Sequence, residues 1–348
     1  MKNITKLLLV LFASVSMSFS AFAGELSVTG SAKASYSMGG ADRNASKGIG
    51  ISNEIGLGAS GELDNGYTWN YAIALDPNAG GTIDQDDQTL TITTPYGTVG
   101  AFVSAGGLST ELGWGIGANG VGHDFSSPMT LYYGADVSDY SNVQYHTPAG
   151  MLPFGITAKI GYVPNLNNSA DSQDFKSAGT QESNNLGTDA TMYQLTAKPV
   201  DGLTIGGDYW QSEGAVYKQA PSSGNVYAKY TYGPVSFGVH KGQYDVGLTT
   251  KASAVTKYEN NSMGIQFAVN ENLAVSYSVE KSEAFTYVAI AAGASGHTST
   301  SVESELKSLQ AAYNVGGATL GLTRTEVSKS DYSTYDENIT LITLAMAF

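Results

Sequence analysis

Apolar and polar residues alternate along most of the chain beyond residue 23. The first such segment has apolar or small residues at alternate positions and polar residues between them, and its apolar face consists of Leu26, Val28, Ala32, Ala34 and Tyr36. Successive side chains of a β-strand point to opposite faces, so a segment of this kind has one apolar and one polar face. The pattern predicts an all-β protein.

The alternation continues to the end of the chain and predicts sixteen strands. The first three contain residues 26–36, 49–57 and 67–75, and the others span about 88–94, 97–104, 140–147, 154–163, 190–198, 203–211, 225–232, 235–243, 261–269, 273–282, 305–314, 318–327 and 338–348. Short turns such as Asp64-Asn65-Gly66 alternate with long polar segments, and 105–139 is the longest of these. An even number of antiparallel strands with short turns at one rim and long loops at the other is typical of a transmembrane β-barrel.

A soluble β-sandwich is the main alternative, because it also alternates apolar and polar residues. The positions of the aromatic residues favour the barrel. Many lie near strand ends on the apolar face, where a barrel has its interfacial girdles. They are Tyr67, Trp69, Phe154, Tyr209, Phe237, Tyr277, Tyr313 and Phe348.

Residues 1–23 have the layout of a secretory signal peptide. Lys2 and Lys6 precede an apolar run over residues 7–15, and the segment ends in Ala21-Phe22-Ala23. The apolar run is too short to cross a membrane as a helix, which needs about 20 residues. We therefore expect a signal peptide over 1–23, with an uncleaved anchor as the alternative, and a single barrel domain over 24–348.

Composition narrows the function. The chain has 31 acidic and 17 basic residues, a formal charge of −14 and no Cys. The acidic balance argues against a nucleic-acid partner, which needs a basic footprint. The chain contains neither an HExxH motif nor a Gly-x-Ser-x-Gly elbow, so we expect no enzymatic activity. The rivals to a channel are a barrel enzyme, which needs a Ser/His or Asp/His pair on adjacent strands at one rim, and a plugged adhesin or structural barrel.

Several short motifs resemble the trimeric Gram-negative porins. They are Gly24-Glu25-Leu26-Ser27-Val28-Thr29-Gly30, Thr94-Pro95-Tyr96-Gly97-Thr98-Val99-Gly100, Asn142-Val143-Gln144-Tyr145-His146-Thr147-Pro148, and a last strand with Ile342, Leu344, Met346 and Phe348. The resemblance covers the whole mature chain and implies a 16-stranded outer-membrane barrel, a homotrimer and a third loop folded into the barrel. It also implies contact with the lipid bilayer and its lipopolysaccharide, and an outer-membrane assembly machinery that reads Phe348. The Pro-Glu-Phe-Gly motif of enterobacterial third loops is missing, so their constriction geometry does not transfer.

The function that this resemblance implies is a water-filled channel for passive diffusion of small hydrophilic solutes and ions. A substrate-selective porin and a non-channel surface barrel are the alternatives. The acidic excess predicts a weak preference for cations.

Two groups of charged residues are candidates for the pore constriction. The third loop, about 105–139, supplies the carboxylates Glu111, Asp124, Asp136 and Asp139. Strand parity turns further charges toward the lumen: Lys33, Lys159, Lys198, Lys229, Glu54, Asp208 and Glu280. Carboxylates that face lysines across an opening would create a transverse field that sorts ions by charge. For each residue singly, an ordinary solvated charge in the lumen is the alternative.

Two further features of the sequence remain open. The acidic residues Asp84, Asp86 and Asp87 of the loop 76–87 are a weak candidate for Ca²⁺, although their spacing matches no EF-hand and an ordinary solvated loop is the stronger interpretation. No other cofactor is indicated. Arg324 has the parity of the lipid-facing Leu320 and Leu322, so either a bulge turns it inward or it lies at the outer headgroup level.

Overall fold

The computed structural model describes residues 24–41, 48–77, 83–110, 131–166, 187–214, 220–246, 254–289 and 297–348. The predicted signal peptide lies outside them. Within them sixteen antiparallel strands form one closed barrel, in which each strand pairs with its neighbours in sequence and the last pairs with the first. None of the helices in these ranges is long and apolar enough to cross a membrane. The predicted fold class is confirmed.

The strands are β1 (Glu25–Ala41), β2 (Gly48–Glu62), β3 (Thr68–Pro77), β4 (Ile83–Thr94), β5 (Gly97–Val103), β6 (Asn142–His146), β7 (Thr157–Val163), β8 (Asp189–Val200), β9 (Leu203–Glu213), β10 (Ser222–Tyr232), β11 (Val235–Asp245), β12 (Ala254–Ala268), β13 (Leu273–Ala289), β14 (His297–Val315), β15 (Ala318–Ser328) and β16 (Glu337–Ala347). Most connections after even-numbered strands are short, as in 95–96, 201–202 and 316–317, and the connection after β6, residues 147–156, is the longest of them. We call their end of the barrel the short-turn rim and the opposite end the long-loop rim.

Five strands reach at least five residues further toward the long-loop rim than the alternation predicts. β12 begins at Ala254 rather than 261, β14 begins at His297 rather than 305, β13 ends at Ala289 rather than 282, β1 ends at Ala41 rather than 36, and β4 begins at Ile83 rather than 88. The additional segment of β14 is polar on both faces apart from Val302, and those of β12 and β13 mix apolar and polar residues on both faces. A segment of either kind has no period-two signal, so sequence alternation alone cannot find its end.

Phe348 extends the pairing between the last strand and the first, which closes the barrel. The backbone N–H of Gly30 in β1 donates to the carbonyl of Phe348 at 2.7 Å, and the N–H of Phe348 donates back to Gly30 at 2.9 Å. A Cβ at Gly30 would lie 2.3 Å from the Phe348 ring, so only glycine leaves room for it. Phe348 therefore joins the two ends of the sheet, in addition to its predicted role as an assembly signal.

The outer face follows the predicted parity over the middle of the barrel. Apolar side chains of the outward parity are exposed on many strands, including Leu26, Leu195, Val226, Leu309 and Leu344. Of the predicted girdle residues, six are exposed: Phe154, Tyr209, Phe237, Tyr277, Tyr313 and Phe348. The other two, Tyr67 and Trp69, are half-buried. The outer face is thus apolar in a band suited to lipid.

Charged residues replace apolar ones on the outer face nearer the long-loop rim. Four cations of β12–β15 pair there with acidic neighbours in five ion pairs: Lys257–Glu259, Lys281–Glu303, Lys281–Glu305, Lys307–Glu305 and Arg324–Glu326. We call this set the outer charged band. Arg324 belongs to it, because the β15 register is continuous from Ala318 to Ser328 and contains no bulge. Its Nη1 also donates to Thr340 Oγ1 at 3.1 Å.

Candidate pore constriction

The described parts of the third long connection lie against the inner wall of the barrel. They are a first arm, 104–110, and a second arm, 131–141. Leu108 of the first arm and Val137 of the second both lie against Gly161, on the inner face of β7. Glu111 and Asp124, two of the predicted constriction carboxylates, lie outside the described residues.

The two arms bury an apolar cluster against the inner wall. Its members come from the arms, from β7–β9 and from the loop after β7, and they are Leu108, Val137, Val163, Leu166, Ala190, Met192 and Trp210. Leu108, Val137, Met192 and Trp210 are completely buried. Sequence parity assigned apolar residues to the lipid side, so these inward-facing residues were missed. The clue in the sequence was their break with the local alternation.

A buried carboxylate holds the end of the first arm. Asp208 on β9 accepts a hydrogen bond from the backbone N–H of Thr110 at 2.5 Å and from its hydroxyl at 2.8 Å. The Nδ2 of Asn225 donates to both oxygens of Asp208, at 3.1 and 3.2 Å. A buried charge is tolerated where hydrogen bonds replace its water, and Asp208 has that arrangement.

Asp208 begins a row of buried polar side chains that runs around the inner wall at one level. We call it the polar row, and it contains Asp208, Asn225, His240, Ser262 and Glu280 on the successive strands β9–β13. His240 Nε2 lies 3.0 Å from Asn225 Oδ1, and its Nδ1 lies 3.4 Å from Ser262 Oγ. Parity predicted the inward orientation of Asp208 and Glu280, but not their contacts with the loop.

The second arm covers the other end of the polar row. The hydroxyl of Tyr133 donates to Glu280 Oε2 at 2.6 Å and lies 3.4 Å from Ser262 Oγ. The Nδ2 of Asn260 donates to the backbone carbonyl of Tyr132 at 2.8 Å. Gly134 has φ +129°, and a Cβ there would lie 2.3 Å from the Ser223 side chain on β10. The close fit explains why glycine occupies this position.

Two of the predicted constriction carboxylates, Asp136 and Asp139, lie together on the second arm. Asp136 accepts hydrogen bonds from the backbone N–H groups of Leu108, Ser109 and Ser138, at 2.5–3.0 Å. It therefore joins the two arms and caps the short 3-10 helix Val137–Asp139. This structural part was not predicted, and a direct role of Asp136 at the constriction stays a prediction.

Asp139 is an exposed carboxylate on the second arm. Its Oδ2 accepts a hydrogen bond from the N–H of Asp136 at 3.0 Å. Surrounding protein atoms partly remove water from the carboxyl and so raise its pKa, the hydrogen bond from the Asp136 N–H opposes the rise, and the negative charge of Asp136 adds to it. Of the two described loop carboxylates, Asp139 is the more available to ions.

The wall charges chosen by parity have the expected face. Lys33 on β1 lies opposite Ser52, and Glu54 on β2 lies opposite Ser31, so these two charges are diagonal neighbours. Lys159 is opposite His146 and Gln194, and Lys229 is opposite Thr204 and Gly238. Lys159 lies nearer the short-turn rim on β7 than Gly161, which faces the loop residues Leu108 and Val137. Lys229 lies nearer the short-turn rim on β10 than Asn225, which is hydrogen-bonded to Asp208. Their part in a transverse field stays a prediction.

A Ser/His pair on adjacent strands does exist, formed by Ser262 and His240 in the polar row. The barrel-enzyme alternative requires such a pair at a rim, open to a substrate. This pair is buried in the middle of the wall beneath Tyr133, whose ring centroid lies 5.4 Å from that of His240. The structure therefore uses the pair to seat the loop, and the absence of enzymatic activity stays a prediction.

The calcium candidates differ from expectation in their local structure. Asp84, Asp86 and Asp87 belong to β4 rather than to a loop, and the register shift in the β3–β4 pairing falls beside Asp86 and Asp87. In the described parts of the chain no three His, Asp or Glu side chains gather as metal ligands would. Calcium binding by these residues stays a prediction.

Comparisons with known proteins agree with this geometry. A family model described as Gram-negative porin matches residues 7–303. A search of curated proteins finds no match. Among solved structures, a loop L8 deletion mutant of OmpT, an outer membrane protein of Vibrio cholerae, is 15% identical with a TM-score of 0.65, covering 94% of this chain and 100% of that one.

Two further solved structures are similar. The in-vitro folded OmpT of Vibrio cholerae in its trimer form is 12% identical with a TM-score of 0.61, covering 94% of this chain and 100% of that one. An anion-selective porin from Comamonas acidovorans is 13% identical with a TM-score of 0.62, covering 93% of this chain and 100% of that one. At these identities the likeness concerns the fold.

Proposed function

The chain belongs to the Gram-negative porin family and is an outer-membrane β-barrel, and from this premise we propose that it is a water-filled channel through which small hydrophilic solutes and ions diffuse passively, with a weak preference for cations. The observation that carries the proposal is the attachment of the third loop to the inner wall. Both described arms contact the inner wall of a closed barrel and narrow its lumen, while the wall itself stays continuous. Passage through such a channel needs no bond-making step.

Conductance tests the proposal directly. Purified protein is added to a planar lipid bilayer in KCl, and we expect stepwise increases in current, each from one inserted channel. The control is the same protein unfolded by heat before addition. An intact barrel that inserts into the bilayer and passes no current would support a plugged adhesin or structural barrel instead.

The cation preference rests on the carboxylates of the third loop. Rings of carboxylates favour cations over anions in a narrow pore, and Asp139 is the described carboxylate best placed for this. Asp139→Asn should shift the zero-current potential in a KCl gradient toward that of an unselective channel, and Glu111→Gln and Asp124→Asn should do the same. Glu326→Gln, on the outer face, is the matched control and should leave the potential unchanged.

We also propose that the protein is a homotrimer. Support comes from the porin family and from the trimer form of the similar OmpT structure. On a detergent gel, an unheated sample should run as a high-mass band that heat converts to the monomer. A single low-mass species in both samples, combined with measurable conductance, would show a monomeric channel.

A further inference from the structure

Four tyrosines form one aromatic group on the long-loop side of the polar row. We call it the tyrosine cluster, and its members are Tyr132, Tyr244, Tyr258 and Tyr332. Tyr244 and Tyr258 lie directly opposite each other on β11 and β12, with the inward parity of His240 and Ser262. Both strands continue from the polar row toward the long-loop rim, so the cluster lies above the constriction on that side.

The cluster joins two loops that are far apart in sequence. Tyr132 comes from the second arm of the third loop, and its ring stacks on Tyr258 with centroids 4.9 Å apart. Tyr332 comes from the connection between β15 and β16, and its centroid lies 5.3 Å from that of Tyr258. The Tyr332 hydroxyl lies 2.7 Å from Ser282 Oγ on the inner face of β13. Two loops thus converge on a single wall residue, Tyr258.

The cluster is accessible and remains uncharged. Tyr132 is 49% exposed although its ring is stacked, so part of its surface faces the vestibule. Burial raises the pKa of Tyr332 to about 12. The Tyr332 phenol therefore stays neutral at physiological pH, and its ring keeps the electron-rich face of an un-ionised tyrosine.

A carboxylate lies near the cluster. Asp139 is within electrostatic range of the Tyr244 phenol. The wall lysines Lys159 and Lys229 lie on the other side of the loop anchors, toward the short-turn rim. A tyrosine face attracts a cation through the ring quadrupole, and a nearby carboxylate adds to that attraction. This environment favours a positively charged solute with an apolar body over an anion or a neutral solute.

We propose that the tyrosine cluster is a binding subsite for organic cations, solutes that carry an ammonium group on an apolar body, and that it holds them at the long-loop side before they pass the constriction. The inference rests on the proposed channel function and adds a solute class to it. Tyr132 supplies the accessible ring, Tyr258 and Tyr332 support it, and Asp139 supplies the negative charge. Binding of this strength is weak and reversible, as transport requires.

Block of the potassium current tests the subsite, with tetraethylammonium as the probe. Added on the long-loop side, it should reduce the current at concentrations where glucose does not. Tyr132→Leu should weaken the block by about fivefold, the effect of one cation–π contact at a partly desolvated site. Tyr132→Phe keeps the ring and should retain the block. Tyr230→Leu is the matched control, since Tyr230 is an exposed tyrosine on the outer face.

Calorimetric titration of the detergent-solubilised trimer or monomer with tetraethylammonium gives a readout that needs no current. We expect binding by the wild type and Tyr132→Phe, and about fivefold weaker binding by Tyr132→Leu. A channel that conducts but shows neither block nor binding heat would overturn the subsite and leave the channel function standing. Binding heat without any conductance would support the subsite and overturn the proposed channel function. If glucose reduced the current as much as tetraethylammonium does, or if Tyr132→Leu and Tyr230→Leu weakened the block equally, the subsite would also be overturned.

Discussion

The inner wall beneath the third loop and the outer charged band depart from the usual barrel pattern in opposite directions. Inside, where a porin wall is expected to be polar, Leu108, Met192 and Trp210 form a fully buried apolar cluster. Outside, where lipid-facing residues are expected to be apolar, cations such as Lys281 and Arg324 pair with glutamates. Both regions interrupt the alternation that the rest of the barrel follows.

The difference shows that the surrounding medium, rather than the parity of a strand, decides which residue type is stable. Protein atoms cover the inner wall at the third loop, so apolar side chains gain by burial there. The outer charged band lies beyond the apolar residues toward the long-loop rim, at a level where charges meet water or headgroups at little cost. If this explanation is right, substitutions in the covered region should matter greatly and those in the band very little.

Leu108→Ala should have the largest effect. The substitution leaves a cavity between the two arms and the wall, in a cluster that is completely buried, and such changes cost about 3 kcal/mol. We expect a lower thermal midpoint in detergent and a noisier, larger single-channel conductance, because the arms pack less firmly. Leu309→Ala, an exposed leucine on the outer face, is the matched control. An equal loss in both variants would contradict the comparison.

Asp208→Ala should have the next largest effect. It removes the acceptor of the Thr110 N–H and hydroxyl and of the Asn225 amide, and buried donors left without a partner cost about 2 kcal/mol. Circular dichroism during heating measures the loss, and the conductance should rise as the first arm is released. Asp208→Asn keeps one acceptor oxygen and should lie between the wild type and Asp208→Ala.

The sequence predicted the fold well, because lipid and water on opposite sides impose a period of two on each strand. It placed Glu54 and Lys229 on the correct face for that reason. It could not find the anchors of the third loop, since the contact of Tyr133 with Glu280 joins residues 147 positions apart. Nor could it find the outer ends of β12 and β14, where polar residues lie on both faces and the period disappears.

Asp139 is intermediate between the buried inner wall and the exposed outer charged band. It is an exposed residue of the second arm, yet it lies within electrostatic range of Tyr244 on the wall. Its pKa is raised above the ordinary value of 3.8, chiefly by partial desolvation of the carboxyl. As the pH falls, its charge is therefore lost earlier than that of an unfolded aspartate, and its protonation stabilises the folded state. As the pH is lowered, we expect the cation preference to begin to decrease while the pH is still above 3.8, and the zero-current potential in a KCl gradient measures it.

The dependence of the zero-current potential on pH in Asp139→Asn shows whether Asp139 is responsible. This variant should have a weaker cation preference than the wild type at neutral pH. On acidification it should also lack the part of the decrease in cation preference that occurs above the ordinary aspartate pKa. Identical profiles for the variant and the wild type would assign the selectivity to other carboxylates, of which Glu111 and Asp124 are the predicted ones.

Lys281→Ala should have the smallest effect, although Lys281 makes two ion pairs, at 2.9 Å with Glu303 and 3.2 Å with Glu305. The side chains of Lys281 and Glu303 are exposed and that of Glu305 is half-buried, so each pair replaces favourable hydration and is screened by salt, with a Debye length of about 3 Å at 1 M. We expect an unchanged thermal midpoint at high salt and at most a slight decrease at low salt. A decrease in thermal midpoint comparable with that of Asp208→Ala would mean that the outer charged band, like the inner wall, is enclosed by other atoms. The two regions would then not differ in the medium that surrounds them.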